Sequence, residues 1–140
     1  MQLARFGILW VLAGAAGCGG HDGASVAGSW TGTATDATGT WTLTGNCSQR
    51  DGDTTVVRCV LSATHPTLGA TGADVFAHLF TEPGSSTGTL SYALGIHPPP
   101  CRINVSGDAA VSAGRIEGTY RGASDCEAEA IRDGQLTLVR

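Results

Sequence analysis

Thiols are the most reactive side chains in this 140-residue chain, and their spacing limits what they can do. Cys47, Cys59, Cys101 and Cys126 form an even set that three connectivities of two disulfides could join. Metal ligation by the same thiols would call for a close Cys-x-x-Cys pair, and the sequence has none. Other reactive types are dispersed. His21, His65, His78 and His97 include no pair at metal-ligand spacing and are expected in loops or on the surface. Gly84-Ser85-Ser86-Thr87-Gly88 has the written form of a nucleophile elbow. Such a serine needs a strand-to-helix turn, whereas Ser86 lies in a Ser/Thr/Gly stretch with no helical pattern after it. Asp125, Glu127 and Glu129 make the densest acidic spot, with the two glutamates sharing a face of a strand. General acid–base work needs a pocket and a raised pKa, so a solvated edge is the expected role. Asp51-Gly52-Asp53 lacks the further ligands of a calcium loop and reads as a turn. The expectation is a protein that is not an enzyme, with no catalytic residue, no metal site and no cofactor.

The first residues carry chemistry of another kind. Arg5 supplies a positive charge, and Phe6 to Ala16 follows as an eleven-residue uncharged, mostly apolar run. A membrane-spanning helix needs about twenty such residues, so the run fits the core of an export signal. It ends in Ala15-Ala16-Gly17-Cys18, which resembles the lipobox of bacterial lipoproteins. That resemblance implies cleavage before Cys18, acylation of its sulfur and new amino group, and attachment to membrane lipid at the cell envelope. Gly19, rather than an aspartate, resembles lipoproteins destined for an outer membrane. Residues 1–17 are therefore read as a lipoprotein signal peptide and 18–26 as a flexible tether containing Gly19-Gly20-His21-Asp22-Gly23. Residues 27–140 are read as a single β-barrel domain.

Without residues 1–17 the chain has 123 residues, enough for one domain but near the size at which covalent staples matter. Lysine is absent, and seven arginines then face twelve acids, a net charge of −5. A mildly acidic surface argues against nucleic acid and anionic membrane surfaces as electrostatic partners. Export puts the four remaining cysteines in an oxidising compartment, so two disulfides are expected. Local pairing favours Cys47–Cys59 and Cys101–Cys126.

Threonine and glycine dominate, and turn signals recur at short intervals, the pattern of an all-β fold. Gly28 to Thr35 alternates, with Trp30, Gly32 and Ala34 on one face and hydroxyls on the other. Thr40 to Thr44 does the same with Trp41 and Leu43, and its parity continues to Cys47. In Thr54 to Thr64, Val57, Cys59, Leu61 and Ala63 share a face, so Cys47 can stand opposite Cys59 across the turn at Asp53. Further strands are expected at Thr87 to Leu94, Cys101 to Ser106 (with Ala109 to Ala113 able to extend it past Gly107-Asp108), Arg115 to Arg121 and Gln135 to Arg140, with Pro98-Pro99-Pro100 an extended lead into Cys101. Ala73 to Glu82 suits an amphipathic helix through Val75, Phe76, Leu79 and Phe80, or a strand through Val75, Ala77 and Leu79. The abundance of strands favours the strand. About eight antiparallel strands then close an up-and-down, disulfide-stapled barrel.

Gly28-Ser29-Trp30 resembles the Gly-x-Trp motif that opens lipocalins. The resemblance implies that Trp30 closes one end of the barrel beneath an arginine near the end of the last strand. Arg140 continues the parity of Leu136 and Leu138 and takes that role. Avidins start similarly but bind biotin with further tryptophans, and none follows Trp41. Small barrel inhibitors of metalloproteases also share the start. Two functions remain for a lipid-anchored envelope protein: a lipocalin-like barrel binding a small apolar ligand, or a packed structural or protein-interaction barrel, including the inhibitor type. Glycines and alanines facing inward (Gly32, Ala34, Ala63, Gly118) would leave space for a ligand, while Trp30, Trp41, Tyr92 and Tyr120 would fill it.

Overall fold

Period-two alternation of apolar and hydroxyl side chains can satisfy only one arrangement, a sheet with one face dry and one wet. A computed structural model describes residues 24–140 and folds them this way; residues 1–17 read as a signal peptide, Cys18 and residues 19–23 of the expected tether lie outside the described residues. Eight strands run β1 (Gly28–Asp36), β2 (Gly39–Arg50), β3 (Asp53–His65), β4 (Gly69–Thr81), β5 (Gly88–Ile96), β6 (Ile103–Ser112), β7 (Arg115–Ser124) and β8 (Ile131–Val139). Each pairs antiparallel with its sequence neighbour, and β8 returns to β1 through Thr31↔Val139 to Thr35↔Gln135. The barrel is closed and has no sheet edge, an architecture compatible with a lipocalin-like fold. Among the described residues no helix is present.

Short hairpins set the register. Asp51-Gly52 and Ala113-Gly114 are two-residue turns whose glycines have φ of 80° and 72°, the left-handed conformation such turns require. At the β1–β2 turn Asp36 Oδ1 accepts the Thr38 N–H at 2.8 Å, holding the chain by its own side chain. Cys47 stands opposite Cys59 on β2 and β3, and the two form a disulfide with Cα atoms 4.0 Å apart. A second disulfide, Cys101–Cys126, ties the β5–β6 loop to the β7–β8 loop.

Several boundaries differ from the sequence reading. Ala73 to Thr81 belongs to β4, which begins earlier, at Gly69, ends just before Glu82, and sets Val75, Ala77 and Leu79 inward while Phe76 and Phe80 point out. β6 begins at Ile103 rather than Cys101 and runs through Gly107-Asp108 to Ser112, the extension that Ala109 to Ala113 suggests, and β8 starts four residues before Gln135. Pro98-Pro99-Pro100 is a turn rather than an extended lead, with the Cys101 N–H donating to the Pro98 carbonyl, because two ladder strands must reverse there. Glu127 and Glu129 lie in the β7–β8 loop and share no strand face.

The inward glycines also prove different from empty positions. A Cβ at Gly32 would strike the Thr137 carbonyl, one at Gly45 the Val60 carbonyl and one at Gly118 the Asp108 carbonyl. At these points the neighbouring backbone occupies the space a side chain would take. Glycine here permits the strong coiling that eight strands need to close.

Candidate functional site

Two ends and one outer wall contain every feature of the barrel that could engage a partner. At the end where Ala24 enters, Val26 folds across the mouth and is fully buried in the core, so it belongs to the barrel and not to the tether. Three donors converge on Gln49 Oε1: the N–H groups of Val26 (3.2 Å) and Ala27 (3.3 Å) and the Ser25 hydroxyl (3.3 Å). The Gln49 amide in turn donates to the Thr54 carbonyl at 2.7 Å. Gln49 extends the inward parity of Leu43, Gly45 and Cys47, and a polar residue on that dry face is a signal the alternation itself carries. Trp30 Nε1 donates to the Val26 carbonyl at 2.7 Å.

Arg140 completes this end. It follows β8, and its guanidinium carbon lies 4.6 Å from the Trp30 ring centroid. Two of its nitrogens donate to the carbonyls of Ala27 (2.7 Å) and Ser25 (3.0 Å). Residues 24–27 lie outside the sheet, so their carbonyls need such donors, and guanidinium supplies several in one plane.

The opposite end is held by polar side chains. His65 ends the inward row of β3 and is buried against Trp41, with ring centroids 4.8 Å apart. It was expected in a loop or on the surface. The row Val57, Cys59, Leu61, Ala63, His65 carries it inside. His65 Nδ1 accepts the N–H groups of Thr67 (3.1 Å) and Leu68 (3.2 Å), so the proton sits on Nε2 and is donated to the Thr38 carbonyl at 3.1 Å. The ring thus latches the β1–β2 turn to the β3–β4 turn. Tyr120 Oη donates to Asp36 Oδ2 at 2.7 Å, and Tyr92 Oη to the Thr119 carbonyl at 2.8 Å. Burial pushes both phenols above their ordinary range; the hydrogen bond and charge of Asp36 add to the rise at Tyr120, and the charge of Asp108 to that at Tyr92. Both remain protonated donors at neutral pH, which makes them braces and not bases.

Between the ends the inward rows of all eight strands bury apolar side chains against one another, Trp41, Leu43, Leu94 and Ile116 among the most completely. Among the described residues no buried side-chain nitrogen or oxygen lacks a hydrogen-bond partner, so nothing polar inside awaits a ligand.

The remaining chemical candidates lie apart. Ser86 is exposed in the loop between β4 and β5, two strands with no helix between them. His78 and His97 are exposed. Asp125 lies near the Cys101 and Cys126 sulfurs, but these are bonded to each other, and Asp125 Oδ1 accepts the Arg102 N–H at 2.7 Å. Cys18 and His21 lie outside the described residues. On the outer wall a polar groove of about 360 Å³ runs past Asp108, Thr119, Arg121, Asp133 and Gln135. Farther round, Val60, Phe76 and Phe80 of β3 and β4 are 56–61% exposed, with the Arg58 guanidinium 5.1 Å from the Phe76 ring centroid.

Comparison of the chain with protein-family models, curated proteins and solved structures returns no match.

Proposed function

We propose that the chain is an exported lipoprotein, acylated on Cys18 and held at the cell envelope, whose barrel acts through its outer surface and not as a container. In a host with two membranes, Gly19 favours the outer one. The observation that carries the second half of this reading is an interior lined by buried apolar side chains and covered at both mouths, by Val26, Trp30 and Arg140 at one end and by Trp41, His65 and Tyr120 at the other. A small apolar ligand would have to displace core side chains, each worth roughly 1.5–3 kcal/mol of burial. The packed, interacting barrel is therefore preferred over the ligand carrier. Its partners are membrane lipid, through Cys18, and an envelope protein. No catalytic role is proposed, since Ser86 lies in the β4–β5 loop at one end of the barrel and the buried His65 and the Asp125 loop lie at the other.

The anchoring half rests on Ala15-Ala16-Gly17-Cys18 following an apolar run too short to span a bilayer. Fatty-acid labelling in the producing cell tests it. Wild-type chain should take up label and fractionate with membranes, and Cys18→Ser should do neither. A wild-type chain without label would reject the lipoprotein reading. For the barrel, apolar fluorescent probes should leave the folded protein unstained, and saturable binding to a still-folded barrel would restore the carrier reading.

A further inference from the structure

We infer that the outer face of β3 and β4 is a membrane-docking surface that lays the barrel on the bilayer to which Cys18 ties it. The inference rests on the anchoring proposed above. Large apolar side chains on a wet face are costly to leave in water, and a cluster of them marks a contact surface. Arg58 stands directly opposite Phe76, Val60 is diagonal to it and opposite the half-buried Asp74, and Phe80 follows on the same face about 13 Å along β4. Two phenylalanines and a valine beside one guanidinium match a lipid surface, with hydrocarbon for the rings and phosphate for the cation.

The place where the chain leaves the barrel makes bilayer the occupant. Ser25 and Ala27 are held by Gln49 and Arg140 at the end of the barrel where β4 also terminates, at Thr81 just beyond Phe80. Cys18 is six residues before Ala24, a reach of at most about 20 Å. An acylated Cys18 therefore keeps Phe80 close to the lipid surface.

The test uses the mature chain with single outward tryptophans, Phe80→Trp, Phe76→Trp and, on the outer face of β1, Thr33→Trp. Each is mixed with phosphatidylethanolamine vesicles whose acyl chains are brominated near the headgroup, and fatty acid on Cys18 is measured in the same preparation. Docking predicts that added emission at 80 and 76 is quenched at least about twofold more than at 33, since such faces sink only ~5–10 Å below the interface. Equal quenching at all three positions, or none at 80 and 76, overturns it. Acylated protein without quenching at 80 rejects docking and leaves anchoring intact. Quenching at 80 in protein lacking fatty acid keeps docking and rejects the acyl anchor. A detergent-solubilised dimer that Phe76→Ser converts to monomer, with no lipid quenching, overturns the inference in favour of a second copy of this chain.

Discussion

Replacing Arg140 with alanine tests whether the end of the barrel nearest the tether is closed by a real interaction. The change removes the guanidinium from the Trp30 ring and two donors from the carbonyls of Ala27 and Ser25. A cation over an aromatic ring contributes about 0.5–1 kcal/mol where solvent reaches it. Each hydrogen bond adds roughly 0.5–1 kcal/mol net, because water replaces the lost partner at this exposed rim. These effects overlap, since all three hold one guanidinium in place, so the expected loss is about 1–2 kcal/mol. For a domain of this size that lowers the thermal midpoint by roughly 4–8 °C. Circular dichroism melting of the whole chain measures it. Trp30 emission should shift to longer wavelength as water reaches the ring. Arg140→Lys should fall between wild type and Arg140→Ala, because lysine keeps the charge but not the planar fork. A midpoint within about 1 °C of wild type would show that the contact carries no stability. A full loss with Trp30 emission unchanged would place the destabilisation away from the indole and refute the reasoning.

Three further outcomes are expected. Removing Cys47–Cys59 or Cys101–Cys126, with sequence separations of 12 and 25, should cost about 3 kcal/mol each and slightly more for the longer loop, measured by denaturant unfolding of paired Cys→Ser variants. Gly45→Ala, whose methyl would meet the Val60 carbonyl and lie 2.7 Å from the Leu61 Cα, should cost about 2 kcal/mol or more, whereas Gly72→Ala, with nothing within 4 Å, should change stability little. Above pH 10 the unfolded chain releases phenolic protons that folded Tyr92 and Tyr120 retain, so stability is full below about pH 10 and falls as pH rises; Tyr120→Phe should lessen that fall in alkaline unfolding curves.

Much of the barrel could be read from the chain because alternation is local. The rows Trp41, Leu43, Cys47 and Val57, Cys59, Leu61 fix which face is dry, and once both rows are inward the Cys47–Cys59 disulfide follows from register alone. The same parity carried His65 and Gln49 inside, although histidine and glutamine do not advertise burial, and their partners come from other strands. Ala73 to Glu82 was ambiguous for a definite reason. Val75 and Leu79 fit both periods, and Phe76 and Phe80 complete a helical stripe. The pairing of β4 between β3 and β5 decided for a strand and left both rings in solvent. The inward glycines show the limit most clearly. Period two says that Gly32, Gly45 and Gly118 face the interior, but whether such a position is a void or a point of backbone contact depends on how tightly the wall coils. That coiling is set by closing β8 onto β1, a contact between residues 100 to 108 positions apart. The shared apolar interior and the folding of Val26 over the mouth follow from that closure, and so only the tertiary structure decided them.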